Sequence, residues 1–95
     1  MPSVLYIDDD DGIRRLVGRA LTRRGYDVTV ADGGEAGVAA ARERAFDLVA
    51  VDHYMPGIDG LETMARLAEL PHPPAVVYVT GSEESRVAVA ALRAG

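Results

Sequence analysis

Residues 49–60 read Val-Ala-Val-Asp-His-Tyr-Met-Pro-Gly-Ile-Asp-Gly, an apolar run that ends in the carboxylate of Asp52 and then turns at Pro56 and Gly57. Such a run is typical of a strand buried in a parallel sheet. Open α/β sheets place their ligand sites at the carboxyl ends of the strands. We therefore expect Asp52 to be the reactive centre, presented at the rim of the sheet rather than buried.

The rest of the chain repeats this pattern of an apolar strand followed by a helix. We predict strands at residues 3–8, 26–31, 46–52 and 75–80, and helices over about 13–24, 35–45, 61–70 and 82–93, from apolar spacing and from Gly and Pro punctuation. Asp10 or Asp11 can cap the first helix, and Gly25 ends it. Four such repeats require right-handed crossovers and predict an α/β fold, a parallel sheet with helices on both faces.

Composition limits the function classes. The chain has 95 residues, 48% of them hydrophobic and 26% charged, as in one soluble globular domain. A net charge of −5 disfavours direct nucleic-acid contact, which needs clustered cations. Without cysteine there is neither a disulfide framework nor a thiolate nucleophile. No apolar run is long enough for a membrane span, so we expect a cytoplasmic protein without membrane contact.

Oxygen-bearing side chains follow three of the predicted strands. Four consecutive acids, Asp8 to Asp11, follow the first strand, Asp52 ends the third, and Thr80 with Gly81 follows the fourth. If the strands are parallel, these groups meet at one rim. Hard oxygen ligands in small number suit Mg²⁺ better than zinc. The cation would relieve repulsion between an attacking carboxylate and a phosphoryl group.

These three motifs together resemble the receiver domain of two-component response regulators, in order and spacing from Val4 to Gly95. They are Ile7–Asp10, Asp52–Gly60 and Val79–Gly81. The resemblance implies a flavodoxin-like doubly wound parallel sheet, with strand order 2-1-3-4 here and 2-1-3-4-5 in a complete domain. It also implies a signalling switch rather than an enzyme, with self-catalysed phosphotransfer and autodephosphorylation.

The resemblance assigns a role to each matching position. Asp52 would accept a phosphoryl group from a sensor histidine kinase or a histidine phosphotransfer protein. Asp9, Asp52 and the Tyr54 backbone carbonyl would bind Mg²⁺ or Mn²⁺ directly, and Asp8 would bind it through water. Thr80 would be the switch hydroxyl. The border of the phosphoryl pocket would be formed by Met55, Pro56, Gly81 and Ser82.

The sequence departs from the receiver pattern at its end. Receivers carry a lysine after a fifth strand, whereas this chain has no lysine and no such strand. We therefore expect residues 1–95 to be a receiver domain incomplete at the C-terminus. The fourth strand would be an exposed edge, and if these 95 residues are the whole chain we expect a homodimer through that strand and the helix after it.

Two other functions stay open at this point. One is a phosphatase of the haloacid dehalogenase type, with Asp8 as nucleophile and Asp10 as acid/base, although Gly12 stands where that family prefers Thr or Val. The other is a degenerate receiver that serves only as a docking module. His53 follows Asp52, but we expect no catalytic role for it because adjacent strand residues point to opposite faces.

Overall fold

The computed structural model describes residues 2–52 and 60–79, which form a parallel sheet flanked by helices. Within them the strand order is β2-β1-β3-β4, and each neighbouring pair is parallel. The predicted α/β class and 2-1-3-4 order are therefore confirmed. The predicted helix over residues 82–93 lies outside the described residues. The elements in chain order are β1 (Ser3–Ile7), α1 (Asp11–Arg23), β2 (Asp27–Ala31), α2 (Gly34–Glu43), β3 (Leu48–Asp52), α3 (Gly60–Ala68) and β4 (Ala75–Val79).

Strand β1 lies inside the sheet and separates two apolar clusters. Leu5 and Ile7 point into a cluster with residues of α2, β3 and α3. Val4 and Tyr6 point to the other face, against Val17 and Leu21 of α1 and Ala50 of β3. All four β1 side chains are 0% exposed. Burial on both faces explains why the strand is apolar throughout instead of alternating.

Helix α1 begins at the acids that follow β1. The Ile13 backbone N–H donates to Oδ1 of Asp10 at 3.0 Å, so Asp10 is the N-cap. Asp11 lies in the first turn, where its carboxylate pairs with Arg14 and Arg15. After the helix, Gly25 adopts a φ of +90°, a conformation that favours glycine. The capping prediction is thereby resolved in favour of Asp10.

The predicted start of the third strand differs from the observed one. Strand β3 begins at Leu48 rather than Phe46. Asp47 is instead held by Ser3: its N–H donates to the Ser3 carbonyl at 2.9 Å, and its Oδ2 accepts from the Ser3 N–H at 2.7 Å. Phe46 is nevertheless buried, with the Arg44 guanidinium 4.8 Å from its ring centroid. Phe46 thus packs in the core from a loop, and its apolar side chain led to the prediction that it belongs to the strand.

Helix α2 approaches β1 closely at one glycine. A Cβ built on Gly37 would lie 2.7 Å from Cγ1 of Ile7 and would also collide with its Cδ1. Both residues are buried. The small residues of this helix were expected to permit close packing, and Gly37 is where the approach requires the absence of a side chain.

Candidate functional site

The register of the sheet brings two acids to adjacent strand ends. Ile7 of β1 pairs with Val51 of β3, so Asp8 and Asp52 follow in the next row. Asp52 is also in register with Val79 of β4. Asp8 is 1% exposed and Asp52 3% exposed. The expectation that Asp52 is presented rather than buried is wrong, because it lies between two neighbouring strands at the end of the sheet.

Asp9 completes a cluster of three carboxylates with Asp8 and Asp52. One carboxylate oxygen from each residue lies within 4.8 Å of the other two. Two unit negative charges at that distance repel by about 3 kcal/mol at an effective dielectric constant of about 20. A divalent cation among the three oxygens would replace repulsion with attraction. An all-oxygen donor set fits Mg²⁺, so the residues present match the cation that the sequence predicts.

Asp8 is held by both its side chain and its backbone. Its Oδ2 accepts a hydrogen bond from the Tyr6 hydroxyl at 2.7 Å, and its Oδ1 accepts one from the Asp10 N–H at 2.9 Å. The Asp8 N–H donates to the Ala31 carbonyl at 3.1 Å, and Arg14 Nη1 donates to the Asp8 carbonyl at 2.8 Å. The position of this carboxylate is thus fixed from β1, from β2 and from α1.

Sequence reasoning missed Tyr6 as part of this site. Tyr6 and Asp8 are two residues apart, so they point to the same side of the strand. A buried tyrosine needs a partner for its hydroxyl, and an acid two residues later is a suitable acceptor. The spacing between Tyr6 and Asp8 could have indicated this contact. Tyr6 was instead interpreted as an ordinary apolar residue of the strand.

Only some of the predicted site residues fall within the described part of the chain. Asp8, Asp9 and Asp52 are brought together, whereas Asp10 and Asp11 serve the start of α1. The remaining predictions lie outside the described residues, and these are Tyr54, Met55, Pro56, Thr80, Gly81 and Ser82, together with His53.

Comparison with known proteins identifies the family. The family model described as "Response regulator receiver domain" matches residues 4–95. The chain belongs to this family. The receiver domain is a signalling domain of two-component systems, and such domains are typically not enzymes in their own right. Membership of this family decides against the haloacid dehalogenase alternative.

Curated proteins and solved structures that resemble this chain include response regulators. The transcriptional regulatory protein AfsQ1 of Streptomyces coelicolor is 38% identical over 89 residues, which are 94% of this chain and 40% of AfsQ1. The response regulator TrrA of Thermotoga maritima, solved with Mg²⁺ and BeF, is 28% identical with a TM-score of 0.81, covering 97% of this chain and 80% of that one. A structure of the histidine kinase ThkA in complex with TrrA matches with 31% identity and a TM-score of 0.79, covering 85% and 70%.

The receiver domain spans only part of its curated relatives. It covers 40%, 28% and 34% of the lengths of three of them. In the described part of the chain, no helix is both long and apolar enough to cross a membrane.

Proposed function

We propose that Asp52 is the phosphoacceptor of this receiver domain. The observation that carries the proposal is the position of Asp52 at the end of β3, with a carboxylate oxygen within 4.8 Å of those of Asp8 and Asp9. The three acids provide a nucleophile and cation ligands in one place. The neighbouring Asp8 is held in place by the Tyr6 hydroxyl and the Asp10 N–H.

The proposed reaction is a direct phosphoryl transfer. A carboxylate oxygen of Asp52 attacks the phosphorus of a phosphohistidine on a sensor kinase or a histidine phosphotransfer protein. A P–O bond forms while the P–N bond breaks, and its electron pair returns to the imidazole nitrogen, which then takes up a proton. The product is a mixed acyl phosphate on Asp52. The complex of ThkA with TrrA supports a histidine kinase as partner.

The metal site follows from the same three acids. We assign Asp9 and Asp52 as direct ligands, Asp8 as a ligand through water, and the Tyr54 carbonyl as a further ligand. Mg²⁺, or Mn²⁺ in its place, would neutralise charge that develops on the phosphoryl oxygens. TrrA with Mg²⁺ and BeF supports this assignment. Asp8 is fixed by its hydrogen bonds, so it can orient a water molecule without moving.

The remaining assignments come from the receiver pattern. Thr80 would donate its hydroxyl to the phosphoryl group, at a pocket bordered by Met55, Pro56, Gly81 and Ser82. Phosphorylation would then bias a two-state surface at β4 and the helix predicted over residues 82–93, where a homodimer would form. We propose that the domain acts in the cytoplasm and does not itself contact nucleic acid.

Phosphorylation by phosphoramidate, a small donor with a P–N bond, tests the proposal. With Mg²⁺, we expect the intact protein to gain the mass of one phosphoryl group. With EDTA, the rate should fall about tenfold or more, because repulsion between Asp52 and the donor is no longer offset, and excess Mn²⁺ should restore it.

Asp11→Asn is the matched control for this experiment. It removes an exposed acid from the same loop but outside the three-carboxylate cluster, so labelling should persist. Equal labelling rates in Mg²⁺ and in EDTA would contradict the metal-assisted reaction. Absence of both labelling and Mg²⁺ binding would favour the docking-only alternative.

A further inference from the structure

Tyr6 contributes a polar atom to the acidic cluster although its ring belongs to the core. The ring is 0% exposed and packs with Val17 and Leu21 of α1. Its hydroxyl donates to Oδ2 of Asp8 at 2.7 Å, the length of a charge-assisted hydrogen bond. A neutral, fixed donor is therefore directed at one of the three clustered carboxylates.

We propose that the Tyr6 hydroxyl lowers the Mg²⁺ affinity of the site by stabilising Asp8 when no cation is bound. This inference rests on the proposed function, since it takes Asp8 as part of the Mg²⁺ site. In the empty site Asp8 is a buried anion beside two others, and the hydroxyl offsets part of its charge. A bound cation supplies that compensation itself, so the hydrogen bond stabilises the empty state more than the loaded one.

A second effect of Tyr6 has the opposite sign. Partners outside the ligand shell commonly strengthen metal binding because they orient the ligand. Here the orientation of Asp8 has other sources. The Asp10 N–H holds Oδ1, Ala31 receives the Asp8 N–H, and Arg14 holds the Asp8 carbonyl. Removing the Tyr6 hydroxyl leaves these contacts in place. The loss of the hydrogen bond that offsets the charge of Asp8 therefore determines whether Mg²⁺ affinity rises or falls.

Tyr6→Phe tests the inference because it keeps the ring and removes the hydroxyl. Calorimetric titration of the full-length protein with Mg²⁺ should show about three- to tenfold tighter binding, part of the effect of a hydrogen bond to a charged group. Thermal unfolding without Mg²⁺ should occur at a lower temperature than in the unsubstituted protein, and saturating Mg²⁺ should narrow the difference.

Two controls separate charge compensation from general structural effects. Tyr26→Phe removes a hydroxyl from a half-buried tyrosine on the same face of the sheet, just before β2, and should leave Mg²⁺ affinity unchanged. In an Asp8→Asn background there is no charge to compensate, so Tyr6→Phe should no longer tighten binding.

Each outcome bears on either the inference or the proposed function. Unchanged or weaker Mg²⁺ binding by Tyr6→Phe overturns the role of Tyr6 alone. Absence of Mg²⁺ binding by the unsubstituted protein overturns the proposed metal site as well.

If Tyr6→Phe does not fold, 3-fluorotyrosine placed at position 6 alone provides the test. Its more acidic hydroxyl donates more strongly, so Mg²⁺ binding should weaken, and equal or tighter binding would overturn the inference.

Discussion

Replacing Asp52 with Asn is expected to reduce phosphoryl labelling by about a thousandfold or more, the scale seen when a nucleophile is removed. The amide keeps the size of the side chain but is neutral and a poor nucleophile. Labelling with phosphoramidate and Mg²⁺, followed by intact mass measurement, gives the result directly. Asp11→Asn, which changes an acid that pairs with Arg14 and Arg15 instead, should retain the label.

The stability of Asp52→Asn separates loss of chemistry from loss of structure. Asp52 and Asp8 are both buried, with carboxylate oxygens within 4.8 Å of each other, so replacing the Asp52 carboxyl with a neutral amide should raise the free energy of unfolding without Mg²⁺ by about 1–3 kcal/mol. Stabilisation by added Mg²⁺ should shrink in the variant, because one ligand charge is lost. Retention of the label by a folded Asp52→Asn variant would contradict the assignment.

Gly37→Ala is expected to destabilise the domain by about 2–3 kcal/mol, although alanine normally improves a helix by about 1 kcal/mol. The added Cβ would meet Cγ1 of Ile7 at 2.7 Å. Ile7 is 0% exposed in the cluster shared by α2, β3 and α3, so any movement of its side chain would disturb the packing of that cluster. Because Asp8 follows Ile7, a shift at the end of β1 should also weaken Mg²⁺ binding.

Gly18→Ala is the matched control for Gly37→Ala. Gly18 lies in the interior of α1, and a Cβ there would have Cγ1 of Val30 as its nearest neighbour at 3.9 Å, an ordinary contact. We expect this variant to be more stable by about 0.5–1 kcal/mol. Urea unfolding of both variants measures the two effects. A stabilising Gly37→Ala would show that α2 does not pack on β1 as described.

The class of the fold was predictable because each strand has a local signature, whereas the strand order came from the resemblance to receiver domains. An apolar run such as Val49–Val51 is typical of a strand buried on both faces, and such runs alternate with helical patterns along the chain, which indicated a parallel α/β sheet. The ends of the strands were less predictable where contacts between distant residues determine them. Phe46 is buried but lies outside β3, because Asp47 turns to bond Ser3.

The candidate site was predictable to the extent that strand ends determine it. Asp8, Asp9 and Asp52 come together because parallel register aligns the ends of β1 and β3. The deep burial of Asp52 depends on its position between two strands, which no local pattern encodes. The contact from Tyr6 to Asp8 depends on how far a buried ring reaches along the strand, a packing detail that apolar spacing does not contain.

Mapping the phosphoryl group to one residue is the most direct test of the proposed function. The labelled protein can be reduced with borohydride, which converts an acyl phosphate to an alcohol and marks the modified acid for peptide mass spectrometry. We expect the mark on Asp52, and its absence from Asp8 and Asp9. A mark on Asp8 or Asp9 in place of Asp52 would contradict the assignment of Asp52 as the phosphoacceptor.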